Sequence, residues 1–148
     1  MNDETLSKTE IADLRCLSAT IIPPSAKYGV PGADDDRIFS DILSSIGRDI
    51  TNVRAALTRL RTLAGGPFAA LNAPRRGKVA AELRADSGAP LGVLTRIVLL
   101  CYYRDERVLV SLGLEARPPF PKGHPLEQGD WSLLRPVRAR KPFWRPVS

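Results

Sequence analysis

Pro90-Leu91-Gly92-Val93-Leu94-Thr95-Arg96-Ile97-Val98-Leu99-Leu100-Cys101-Tyr102-Tyr103 is the stretch whose reading decides the fold class. Proline sits well in the first turn of a helix, where its missing N–H has no intrahelical partner to lose. Leu91, Leu94, Ile97, Val98 and Cys101 then recur at helical spacing. Toward its end the stretch is apolar nearly all round, the mark of a helix enclosed by its neighbours, so it reads as the central core helix. It runs into Tyr102-Tyr103-Arg104-Asp105-Glu106-Arg107 and then Val108 to Leu112, a further short helix ending at Gly113.

Upstream of this stretch the signals are also helical. Ser7-Lys8-Thr9-Glu10 is a capping box, with Leu6 and Ile11 at the positions of a hydrophobic staple. Ile11, Leu14, Leu17, Ser18 and Ile21 follow at helical spacing until Pro23-Pro24 forbids continuation, so the first helix covers roughly residues 8–21. Asp34-Asp35-Asp36 invites a metal reading, but it immediately precedes Ile38, Phe39, Ile42, Leu43 and Ile46, where acids cap a helix and favour its positive end. Gly47 loosens or breaks that helix. Ile50, Val53, Leu57, Leu60 and Ala64 continue the apolar stripe to Gly65-Gly66, a natural stop. Residues 67–77 read as irregular apart from a turn, and Lys78 to Ala85 as a short helix. The expected architecture is all-α: a small irregular helical bundle over residues 1–113, with an extended Pro/Arg-rich tail over 114–148.

The tail is set apart by composition. Of 13 prolines in 148 residues, eight fall from Pro90 onward. With Gly113, Gly123 and Gly129 they interrupt any run long enough for a helix. Yet the tail holds both tryptophans, Trp131 and Trp144, with Phe120 and Phe143 and the bases Arg135, Arg138, Arg140, Lys141 and Arg145. Disordered linkers are poor in aromatics, so these rings are expected to find burial on something.

Net charge is +6, unevenly spread: −4 over residues 1–50, +6 over 51–114 and +4 over 115–148. A basic middle and tail suit an acidic partner surface or nucleic acid, and charge alone does not choose between them. Arg48, Arg54, Arg59 and Arg61 are expected on a basic face, read most simply as solvated, with a partner or nucleic-acid face as the alternatives. Cys16 and Cys101 form no C-x-x-C spacing and read as two buried thiols acting as small hydrophobes.

No chemistry-bearing motif stands out. The single histidine, His124, lies in a Pro/Gly-rich stretch without a nucleophile pattern, and no H-E-x-x-H, G-x-S-x-G, G-x-G-x-x-G or G-x-x-x-x-G-K-[ST] is present. Asp105 and Glu106 lie between Arg104 and Arg107, where local ion pairing is the simpler account. Independent catalysis is therefore not expected, nor a metal or cofactor in this chain. The longest apolar stretch, Ile97 to Tyr103, is far short of the ~20 residues of a membrane span. The opening residues carry acids and hydroxyls rather than an export signal, which points to the cytoplasm.

Cys101-Tyr102-Tyr103-Arg104-Asp105-Glu106-Arg107-Val108, followed by Leu112-Gly113 and Pro121-Lys122-Gly123, resembles the C-terminal half of the gluconate 2-dehydrogenase subunit 3 family. Ile21-Ile22-Pro23-Pro24 and Val30-Pro31-Gly32-Ala33-Asp34 are similar to that family's start. Its members are small non-flavin subunits of sugar and alcohol dehydrogenases whose large subunit resembles the glucose-methanol-choline flavoproteins. The resemblance implies a role in folding, stabilising or exporting that large subunit, with FAD and hydride transfer on the partner, and it supplies no catalytic residue. The residues expected to dock are Tyr102, Tyr103, Phe120, Trp131, Phe143, Trp144 and Arg145, since aromatics and arginine dominate desolvated interfaces. The rival expectation is a basic helical nucleic-acid-binding protein that sets Arg54, Arg59, Arg61, Arg75 and Arg76 on phosphates.

Overall fold

The computed structural model describes residues 5–86, 88–117, 123 and 126–141. They are helical, with no strand among them; the nearest approach to one is an isolated antiparallel bridge between Ser25 and Val30. The chain divides into two units, Met1–Ala116 and Arg117–Ser148.

In the first unit, α1 (Lys8–Ile21) opens on the capping box. The Ser7 side chain accepts from Glu10 N at 3.3 Å, and Glu10 Oε2 accepts from Ser7 N at 2.7 Å. Ser7→Ala is expected to cost about 1 kcal/mol, visible as a lower urea midpoint. α2 (Asp36–Ser45) is capped by Asp35, whose carboxylate accepts from the backbone of Arg37 and Ile38. The 3-10 turn Gly47–Asp49 makes the break expected at Gly47 and leads into α3 (Ile50–Ala64). α3 stops where Gly65 adopts φ 73°, a left-handed conformation that a residue without Cβ takes at no steric cost. Gly65 and Gly66 then donate to the last carbonyls, those of Thr62 and Arg61.

α4 (Ala73–Ala85) begins five residues earlier than the sequence suggests. The cause is local: Asn72 caps it, accepting from Arg75 N at 3.0 Å, and Pro74 occupies the first turn. Arg76 ties this start to the preceding 3-10 turn, Phe68–Ala70, by donating to the carbonyls of Leu71 and Ala69. α5 (Ala89–Tyr103) and α6 (Glu106–Ser111) complete the body.

The core forms where these helices face one another. Leu14 and Leu17 of α1, Ile38, Phe39 and Ile42 of α2, Val53, Leu57 and Leu60 of α3, and Leu94, Ile97 and Val98 of α5 are all buried. α3 packs most extensively against α5, and α5 also lies along α2, so the two longest helices share the centre. The loop between α1 and α2 is folded back tightly. Ala33 N donates to Ile22 O at 2.9 Å, and a Cβ at Gly32 would come within 3.0 Å of the Pro24 backbone nitrogen.

Two helix starts are clamped together by one arginine. Arg107 of α6 donates to Asp35, the cap of α2, at 2.6 Å, and to Asp105, the cap of α6, at 2.9 Å. The guanidinium holds both carboxyls below the usual aspartate range. Because both titrate lower in the folded chain than in the unfolded one, the clamp acts in full above about pH 4 and is lost as pH falls through the lowered folded values. Arg107→Gln is expected to cost about 1 kcal/mol near neutrality, solvent screening of this half-exposed group keeping it modest. As pH falls through those lowered folded values the variant and the parent should converge in melting temperature, a comparison that thermal scans at neutral and progressively lower pH provide.

In the second unit the described residues are not wholly extended, as the prolines suggested. A 3-10 turn, Trp131–Leu134, passes into one helical turn, α7 (Arg135–Arg138). Asp130 caps the turn by accepting from Ser132 N at 2.9 Å. Pro136 lies in the first turn of α7, where its lack of an N–H costs no hydrogen bond.

Candidate docking surface

α5 is apolar on two sides, and only one of them is covered. Leu94, Ile97, Val98, Cys101 and Tyr102 face the core. Leu99, Leu100 and Tyr103 face outward, with Leu100 59% and Tyr103 51% exposed. The expectation that near-continuous hydrophobicity meant full enclosure is thus corrected: among the described residues no element covers the outer side. α6 extends the same character, since Val108 is buried while Val110 is 63% exposed, and Leu112 and Leu114 follow it to the surface. Gly113, at φ 74°, turns the chain there, and Leu114 N donates back to Leu109 O at 3.0 Å.

Tyr103 meets Tyr102 edge to face, with centroids 5.3 Å apart and planes at 89°. Tyr102 itself is only 4% exposed and donates its hydroxyl to Pro31 O at 3.1 Å. Tyr102 therefore leaves the docking set: it anchors the α1–α2 loop to α5, and its burial pushes the phenol pKa up. At the edge of the patch Arg96 pairs with Asp49 at 3.1 Å, and Arg104 makes a bidentate pair with Asp41 and a bond to Ser45.

Trp131, in the second unit, is 62% exposed, as are Leu133 and Val137 to similar degrees. Arg135, Arg138, Arg140 and Lys141 are exposed and form no ion pair with a described residue. Phe120, Phe143, Trp144 and Arg145, also expected to dock, lie outside the described residues, as does His124.

Much of the basic surface anticipated from sequence is engaged within the chain. Arg54 pairs with Glu10 at 3.2 Å and donates to Thr5 O, Arg59 pairs with Asp86 at 2.5 Å, and Arg61 lies 3.0 Å from Asp13. Arg76 is spent on carbonyls, as described above. The Asp34–Asp36 run is likewise committed: Arg15 donates to Asp34 O and pairs with Asp36, while Asp35 caps α2. Of the pair Arg104 and Arg107, the second bonds its neighbour Asp105 as expected, whereas the first reaches across to Asp41.

Both cysteines are free thiols. Cys16 is half-buried and Cys101 buried, and desolvation raises the Cys101 pKa, which disfavours a reactive thiolate. No described helix is long and apolar enough to cross a membrane. Comparison with family models, curated proteins and solved structures finds no match to this chain.

Proposed function

We propose that this chain is a non-catalytic small subunit that assembles with, and stabilises, a large FAD-dependent dehydrogenase of the glucose-methanol-choline type acting on a sugar, glycoside or alcohol. One observation carries the partner-binding part of this reading: α5 presents a second apolar side that the described residues leave uncovered, and α6 and the residues after it expose further apolar side chains. The exposed side chains of Leu99, Leu100, Tyr103, Val110, Leu112 and Leu114 are apolar but for the Tyr103 hydroxyl, and a second polypeptide would gain by desolvating them. Support for the class of partner comes from the resemblance, since its segment Cys101–Val108 spans the end of α5 and the start of α6, beside this patch. On this reading FAD and hydride transfer belong to the partner, and the small subunit contributes stability.

The test is coexpression of the tagged chain with such a flavoprotein from the same source. The chain should copurify with it in fixed ratio, and omitting the chain should lower the yield of flavin-loaded protein in the absorption spectrum. A flavoprotein that keeps its flavin without this chain, and does not copurify with it, would refute the proposal. Truncation after Gly113 is expected to preserve the helical circular dichroism while weakening copurification, because Trp131 and the basic residues after it are then lost.

A further inference from the structure

Beside Leu100 runs a groove of about 220 Å3 between the end of α2, the Gly47–Asp49 turn and α5. Its apolar floor is Ile97 and Leu100, and three guanidinium groups surround it, those of Arg48, Arg96 and Arg104. Two of them are neutralised from within, Arg96 by Asp49 and Arg104 by Asp41. Arg48 is exposed and has no hydrogen bond or ion pair with a described residue, so the groove keeps one uncompensated positive charge next to an exposed leucine.

We propose that this groove receives an acidic segment of the partner protein, with an apolar side chain resting on Leu100 and an adjacent carboxylate pairing with Arg48. The proposal rests on the reading of this chain as a partner subunit and adds the chemistry of what the partner must present. Covering Leu100 covers the groove, and a guanidinium buried there without a counter-charge would oppose the contact. The partner must therefore bring the anion. A nucleic acid would supply phosphate and a base to stack on Tyr103, but no aliphatic surface to match Leu99 and Leu100. A second copy of this chain would bring the same surplus of positive charge to the contact. The four cations of residues 135–141 without ion-pair partners among the described residues ask independently for an anionic partner.

The experiment measures the dissociation constant of the complex with the flavoprotein for the parent chain, Arg48→Glu and Arg48→Gln, between about 0.05 and about 0.5 M salt. Arg48→Glu should weaken binding at least about tenfold, and Arg48→Gln by a smaller factor and with a shallower salt dependence than the parent. Because the Arg48 side chain is exposed and makes no bond with a described residue, both variants should melt with the parent. Unchanged affinity and salt slope in Arg48→Glu would overturn the groove assignment and leave the subunit reading standing, whereas no complex with the parent chain would remove both. Binding of a single-stranded RNA oligonucleotide that Arg48→Glu abolishes, or a homodimer in light scattering that Arg48→Glu dissolves, would also overturn it.

Discussion

Replacing Leu100 and Tyr103 together by aspartate is expected to abolish copurification with the flavoprotein while leaving the fold of this chain intact. Both side chains stand on the outer side of α5, more than half exposed, so the folded chain loses little packing when they are changed. In a complex they would lie at the centre of a desolvated patch, where truncating one anchor costs about 2 kcal/mol or more. Two such losses, aggravated by introducing acids against an acidic partner, amount to roughly a thousandfold in affinity. The variant should keep its helical circular dichroism and melting temperature, and it should elute alone from the affinity column. A double variant that still copurifies would mean that the α5 patch is not the contact.

Asp13→Ala is expected to have the opposite profile, a large loss of stability through a residue with no exposed surface. Asp13 is fully buried in α1, 0% exposed. Its carboxylate accepts from Ala69 N at 2.9 Å and lies 3.0 Å from Arg61 Nε, so it joins α1, α3 and the Phe68–Ala70 turn at one point. Removing it orphans the Ala69 N–H beneath the turn and takes the counter-charge from Arg61, at a cost of about 2–3 kcal/mol, the part-exposed guanidinium keeping the figure below that of a fully buried pair. Asp13→Asn, which keeps an acceptor for Ala69, should cost about half as much. Chemical denaturation measures both; equal stability of Asp13→Ala and the parent would show that the turn is held by Phe68 packing alone.

The features legible in the sequence are the local ones. The Ser7–Glu10 box, the acidic cap within Asp34–Asp36, the break at Gly47 and the Gly65-Gly66 stop are each decided by residues within one turn of the feature, and the structure places all four where the pattern does, choosing Asp35 as the capping acid. What sequence could not show depends on partners far along the chain. Asp13 reads as one more polar residue of α1, and only the packing of the Phe68–Ala70 turn over it makes it a buried acceptor. Arg107 reads as a neighbour of Asp105, but its reach to Asp35 spans 72 positions. Tyr102 and Tyr103 look equivalent in sequence. Adjacent residues on a helix point about 100° apart, and only the place of α2 and the Pro31 carbonyl decides which ring goes inside. For the same reason an all-round apolar helix cannot announce that one side is left open; that depends on how many elements the rest of the chain can fold over it.

Hydroxyl-radical footprinting of the free chain and of its complex with the flavoprotein addresses that open side residue by residue. Oxidation at Leu100, Tyr103, Val110 and Leu112 should be strong in the free chain and suppressed in the complex, with buried Tyr102 unreactive in both. Equal labelling of those four positions in the free and bound states would contradict the account.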